Sequence, residues 1–310
     1  MRRLMVATKR QVEIIGAAWG LGGAEPGCAD APAVLAPLLE ARLQACGMGA
    51  CSGPMLQPMP GERRKQAAVS RLCGLLAAAV ADSLRHGRLP CVLGGDHSCA
   101  GGTWAGVART LHGALGLVWV DAHMDSHTPR TSHTGRLHGM PLAWLLGQDD
   151  DALYGLSAGV LNPGQVALVG VRSFEPEEAE RLKRLGVRVF HIEEVRARGL
   201  DAVFADALAI ATAGTEGFGI SVDLDVVAPE EAPGVGTPVA GGIGGAQLAR
   251  ALAGIGGRAD LLAVELVEYA PRLDPDGRSA RVAIDALAAA LCGSGHQAQV
   301  VADAIQRNDA

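Results

Sequence analysis

Asp121-Ala-His123-Met-Asp125 and, further along the chain, Asp223-Leu-Asp225 set carboxylates and an imidazole at alternate positions. On an extended strand alternate side chains share a face, so Asp121, His123 and Asp125 point one way, and Asp223 and Asp225 point together on their own segment. A third segment, Gly94-Gly95-Asp96-His97-Ser98, presents a second imidazole on a tight glycine turn. Four carboxylates gathered in one place repel one another and protonate in part unless cations sit among them. Their four negative charges, with neutral His97 and His123 as further donors, balance two divalent ions. Mixed carboxylate and imidazole ligands without thiolate favour harder ions, Mn²⁺ first, with Ni²⁺, Co²⁺ and Zn²⁺ compatible on affinity. Two ions about 3.5 Å apart acidify a shared water, which is the chemistry of hydrolysis.

Each cluster follows an apolar run that reads as a buried strand: Leu89–Leu93, Ala114–Val120 and Phe218–Val222. The acids and imidazoles then stand at strand C-terminal ends, where α/β sheets place ligands. A lone Asp-x-Asp at such an end usually caps a turn or helix; three tips of this kind together point to a site. Cys99, beside the cluster, reads as packing, since no second thiol stands near it. Strands near residues 12–16, 90–94, 115–121, 165–171, 187–191, 218–224 and 261–267 alternate with helical stretches such as 62–86 and 278–292. The alternation predicts an α/β fold, a mostly parallel central sheet with helices on both faces. From Arg63 to His86, Ala67, Leu72, Leu75, Leu76 and Val80 form an apolar stripe for the core, and Gly47–Arg64 reads as an irregular loop. The 310 residues, 49% hydrophobic and 19% charged, suit a single domain over 1–310 with its core at about 12–292 and a polar tail over 293–310.

With Leu137-His-Gly-Met-Pro141 and Val267-Glu-Tyr-Ala-Pro271 added, the ordered motifs resemble the signatures of the ureohydrolase superfamily, most closely its arginase branch. The resemblance runs from about Ile14 to Leu291. It implies that Asp121 and Asp223 bridge two metals, that His97 and Asp125 complete one shell, and that His123 and Asp225 complete the other. It makes His138 the mobile acid and base, a task suited to imidazole, and Glu268 the acceptor for a substrate guanidinium, which pairs with carboxylate in a forked geometry. Glu265, three residues earlier on the strand, faces the other side and is the weaker candidate. The implied reaction releases urea and an amine, with L-arginine yielding L-ornithine as the first reading.

The same resemblance assigns the substrate tail to His127, Thr134 and Arg136, where arginases carry Asn, Ser and Asn. Thr134 keeps a hydroxyl, and Arg136 is a stronger carboxylate partner than Asn, or else a solvent-facing loop charge. Glu175, in Arg172-Ser-Phe-Glu175-Pro, matches the acidic residue that reaches an α-amino group. Glu175-Pro-Glu-Glu178 is also the acidic first turn of a helix, so capping competes. Thr237 falls near the guanidinium end, in a loop rich in Gly and Pro that can wall a pocket. Agmatine, guanidinobutyrate, another guanidino acid or a formimino amino acid remain alternative substrates, and a metal-binding subunit without catalysis is the alternative from another class.

A net charge of −6 gives no basic surface for nucleic acid and mildly favours a cationic small-molecule substrate. No run of 18 apolar residues spans a membrane and no signal core follows Met1-Arg-Arg-Leu-Met, so a cytoplasmic protein without a membrane partner is expected. Seven cysteines, an odd number without a CxxC pair, fit reduced thiols. Relatives by resemblance form trimers or hexamers, so a homo-oligomer is expected.

Overall fold

In the computed structural model, which describes residues 10–59, 61–62, 65–148 and 159–293, eight parallel strands form one sheet. They are β1 (Val12–Ala17), β2 (Ala50–Leu56), β3 (Leu89–Gly94), β4 (Leu115–Val120), β5 (Val166–Val171), β6 (Arg188–His191), β7 (Gly217–Asp223) and β8 (Leu261–Val267). Their order is β2-β1-β3-β8-β7-β4-β5-β6. The six inner strands are short apolar runs, buried on both faces, as parallel sheets require, whereas the edge strands β2 and β6 are only partly buried. Strand alternation sends Val12, Ile14, Val118 and Val120 into one core and Ile15, Ala17, Leu117 and Trp119 into the other.

Helices cover both faces. The first core is closed by α1 (Ala31–Ala45), α6 (Ile192–Arg198), α7 (Leu200–Thr212), α8 (Gly245–Ala253) and α9 (Arg278–Cys292). The second is closed by α2 (Lys65–Arg85), α3 (Ala100–Ala108), α4 (Pro141–Leu145) and α5 (Pro176–Leu185). The tryptophans are concentrated here: Trp19, Trp104, Trp119 and Trp144 are all fully buried. Gly219 makes room for one of them, because a Cβ at that position would lie 2.0 Å from the Trp104 ring. This is the α/β architecture expected from the alternating runs.

Two expectations are corrected. Gly47–Arg64 is not a loop throughout, since Ala50–Leu56 forms the edge strand β2 on β1. Its Gly53 and Pro54 read as breakers, yet an edge strand tolerates Pro because one side of its backbone makes no ladder bonds. The register slips between Ile14 and Gly16, which lets the uneven strand fit. The stripe on α2 is also rotated: Leu72, Leu76 and Val80 are buried with Ala68, Val69 and Ala77, whereas Ala67 and Leu75 face solvent. By length and composition α2 could cross a membrane, but half of that stretch is buried inside the protein, where α2 packs on α3 and the sheet. The expected C-terminal tail, from residue 294 onward, lies outside the described residues.

Candidate metal centre and active site

The strand tips that carry the chemistry are neighbours, since β3, β8, β7 and β4 lie side by side in that order. Register pairs Val120 with Val222 and Asp223 with Val267. Asp121, Asp223 and Glu268 therefore leave the sheet at nearly one level. At the fourth tip, Gly95 presses against the chain at Trp19, where a Cβ would sit 1.9 Å from the carbonyl oxygen. Asp96 caps the following turn by accepting from Ser98 N–H at 3.0 Å, and its other oxygen accepts from Gly22 N–H at 2.8 Å. That turn delivers His97.

The donors do not converge by strand alternation, and here the extended reading of Asp121–Asp125 and Asp223–Asp225 is corrected. β4 ends at Val120, and Asp125 lies in the turn beyond it with a left-handed φ of 46°. Asp223 closes β7, while Asp225 sits in the 3-10 turn Leu224–Val226. Each turn is held by its own first aspartate. Asp121 accepts from His123 N–H at 2.6 Å and Asp223 from Asp225 N–H at 2.9 Å, the local bonding that makes Asp a turn former.

His97 Nδ1 lies 2.9 Å from Asp125 Oδ2, 3.2 Å from Asp223 Oδ2 and 3.3 Å from Asp121 Oδ2. His123 Nδ1 lies 3.0 Å from Asp225 Oδ2 and 3.6 Å from Asp121 Oδ1. Two donor groups result, His97/Asp121/Asp125/Asp223 and Asp121/His123/Asp225, and Asp121 belongs to both. The buried Nδ1 of His97 faces three carboxylates without a hydrogen bond of its own. A cation among them completes this arrangement, so the residues fit a metal centre. Burial and the nearby Asp121 charge push Asp125 up to about 6, and burial with Asp225 and Asp121 lifts Asp223 well above the usual carboxylate range. Burial opposes charge on His97 and His123, yet the surrounding carboxylates outweigh it and raise both.

A second layer fixes these donors. Ser221 Oγ donates to Glu265 Oε2 at 2.8 Å and lies 2.9 Å from His97 Nε2. With its own proton committed, the hydroxyl accepts Nε2–H and leaves Nδ1 as the lone-pair nitrogen. Glu265 also accepts from Thr103 Oγ1 at 2.5 Å and from Cys99 Sγ at 3.4 Å. It does face away from the cavity, as its strand position implies, but it braces His97 from behind. Cys99 belongs to this packing. Trp119 stacks on the His97 ring at 4.2 Å and donates to Asp121 Oδ2 at 2.8 Å. Thr237 Oγ1 donates to Asp225 Oδ2 at 3.2 Å. The Arg172 guanidinium donates to the carbonyls of Gly170, Asp225, Val226, Val239 and Ala240, tying the loops after β5 and β7 together.

Glu268 and His138 meet beside the donors. Glu268 has a left-handed φ of 63° and is fixed by its N–H donating to Gly95 O at 2.8 Å. Its Oε1 accepts from His97 N–H and pairs with His138 Nδ1, both at 2.9 Å. Cys28 Sγ lies 3.7 Å from Oε2. Burial works against charge on both partners, but their mutual attraction wins: Glu268 is held below the ordinary carboxylate value and His138 is raised to about 9.

A cavity of about 200 Å³ opens above this floor, lined by His127, Thr134, Arg136, Glu175, Glu178 and Thr237 together with His123, Asp125 and His138. The four tail positions expected from sequence, His127, Thr134, Arg136 and Glu175, thus line the cavity, as does Thr237, expected at the guanidinium end. His127, however, is engaged by protein groups: its Nε2 lies 3.0 Å from Glu175 Oε2 and 3.3 Å from Glu178 Oε2. Glu175 is the N-cap residue of α5, and its carboxylate nonetheless reaches into the mouth. Sequence reasoning gave no site role to Trp119, Ser221, Glu178, Arg172 or Thr131. A signal existed for Ser221, which shares a strand face with Asp223, and for Glu265, an acid within the apolar run Leu261–Val267.

The comparisons with known proteins agree with this geometry. The profile of the Arginase family matches residues 10–293. The arginase of Bacillus caldovelox is 40% identical over 233 residues, which cover 74% of this chain and 76% of that protein. The structure of the arginase from Bacillus subtilis superposes with a TM-score of 0.85 at 32% identity, covering 92% of this chain and 100% of that one. An Entamoeba histolytica arginase solved in complex with L-ornithine superposes with a TM-score of 0.84 at 26% identity, over 91% of this chain and 99% of that one. A match of this extent, together with a donor cluster built on the central strand tips, places the chain in the arginase family.

Proposed function

We propose that the protein hydrolyses a guanidino group to urea and an amine, with L-arginine as the substrate and L-ornithine as the amine. The observation that carries the reading is the buried pair of donor groups that share Asp121 and open into a mouth beside Glu268 and His138. Relatives named arginase, one of them bound to L-ornithine, support the substrate.

His97, Asp121, Asp125 and Asp223 would hold one divalent ion, and Asp121, His123 and Asp225 the other. By the family resemblance Asp223, whose Oδ2 lies 3.2 Å from His97 Nδ1, would be shared with the second ion as well. The donor chemistry favours Mn²⁺. When bound, such a pair supplies the positive charge that makes a water nucleophilic near neutral pH. The chain's own groups then bind, orient and move protons. Glu268 accepts from the guanidinium, and its buried carboxylate makes that pairing stronger than it would be in water. His138, drawn toward its cationic form by Glu268, holds a proton at Nδ1 and delivers a proton to the departing amine. Arg136, Thr134 and Glu175 receive the polar tail at the mouth. A reduced, cytoplasmic setting accords with the buried thiols of Cys28, Cys73 and Cys99.

The test is urea release from a panel of guanidino compounds by protein reconstituted with Mn²⁺. L-arginine is expected to be turned over well above agmatine and guanidinobutyrate. A panel without urea release would overturn the hydrolase reading, and a preference for agmatine would overturn the substrate.

A further inference from the structure

We infer that His127 acts on the substrate tail through Glu175, as a positioning residue that places this carboxylate to receive an ammonium group. The inference rests on the proposed guanidino hydrolysis and names the part of the substrate that the mouth reads.

The groups around His127 form a continuous chain of contacts that ends on Glu175. Thr128 N–H donates to Thr131 Oγ1 at 3.0 Å, and that hydroxyl lies 3.1 Å from His127 Nδ1. The other oxygen within its reach, Thr128 Oγ1, is farther at 3.5 Å. The Thr131 proton is therefore best placed on the Nδ1 side, the arrangement that turns Nε2–H toward the carboxylates. That N–H points at Glu175 Oε2, 3.0 Å away. The backbone is held as well, because the His127 main-chain N–H donates to Gly139 O at 2.9 Å, beside His138.

Of the two carboxylates near Nε2, one is already spoken for. Glu178 is 3% exposed, and its oxygens accept from Ser126 N–H at 3.0 Å and Glu175 N–H at 3.2 Å. Glu175 has a side chain that is 48% exposed. A long exposed side chain loses rotamer entropy when it is fixed, and a ligand that had to fix it would bind more weakly by that amount. The chain Thr131 to His127 to Glu175 meets this cost before the ligand arrives. Arg136 lines the same cavity, so the mouth offers a cation for a carboxylate and a placed carboxylate for a cation. This pairing suits the zwitterionic end of an α-amino acid.

The experiment compares L-arginine with 5-guanidinopentanoate, which keeps the guanidino group and carboxylate but lacks the ammonium. Wild type, H127A, T131V, E175Q and the H127A/E175Q double variant are assayed for urea release after Mn²⁺ reconstitution. H127A is expected to lower kcat/KM for L-arginine about tenfold, mostly through KM, in line with one lost charge-assisted hydrogen bond, and to leave 5-guanidinopentanoate within about twofold. T131V should act in the same direction by less. The double variant should be no worse than E175Q, since residues acting through one contact are non-additive. Equal losses on both compounds, or losses that add in the double variant, overturn the inference while leaving the hydrolase reading intact. Urea release from neither compound by the wild type overturns both.

Discussion

The floor and the mouth of the cavity are built on different principles. The floor takes its donors from adjacent strand tips, buries nearly all of them, and backs them with Trp119, Ser221, Glu265 and Thr237. The mouth is largely the loop from His127 to Arg136, much of it exposed, closed on one side by the start of α5. The floor departs from none of the ligand positions that the resemblance implies, whereas the mouth carries His127 and Arg136 where Asn is expected. A rigid sheet end holds the chemistry still, and a loop beside it is free to change what the chemistry acts upon.

That contrast can be broken by substitution. At the floor, D125N or D225N should abolish turnover and lower bound metal together, because a carboxylate is lost from a buried donor group. Metal analysis of both variants checks this, and full occupancy would refute the ligand assignment. H138N should keep its metal and slow turnover by roughly 10²-fold or more, the range for a lost acid or base; undiminished turnover across pH would remove the proton role. E265Q should weaken metal binding by about tenfold through misorientation of His97, measured by competition with a chelator, and an unchanged affinity would reduce Glu265 to packing. At the mouth, R136A should cost L-arginine about tenfold in kcat/KM and agmatine little. Equal losses would end its role as carboxylate partner.

The smallest effect concerns stability without metal. Asp125 at about 6, Glu178 at about 8 and His138 at about 9 all sit above their ordinary values. The folded chain therefore binds protons more tightly than the unfolded one. The stabilisation is complete below the unfolded pKa values, about 4 for the acids and 6.5 for histidine, and is lost as pH rises through the folded ones. The Tm of chelated protein should fall between pH 6 and 9, and saturating Mn²⁺ should flatten the fall. A flat profile in chelator would contradict the electrostatic account.

Much of the fold was legible because parallel strands buried on both faces leave uninterrupted apolar runs, as in Leu115–Val120 and Gly217–Asp223. β2 was illegible for the opposite reason, an edge strand with Pro and Gly and little burial. The ligands could be named from their spacing, although the spacing suggested a strand and the structure uses turns, with Asp125 in a left-handed conformation that alternation does not foresee. The bracing of His97 by Ser221 and Glu265 crosses three strands, a relation set by register and not by local sequence. The link from His127 to Glu175 joins residues 48 positions apart, so single-residue matching gave both a substrate contact and left their mutual contact unseen.

The central claim is that these strand tips hold two adjacent divalent ions. Metal content per chain, measured on protein saturated with Mn²⁺ and freed of excess, tests it most directly. Two equivalents are predicted, falling in D121N because Asp121 serves both donor groups. One equivalent or none in the wild type would contradict the account.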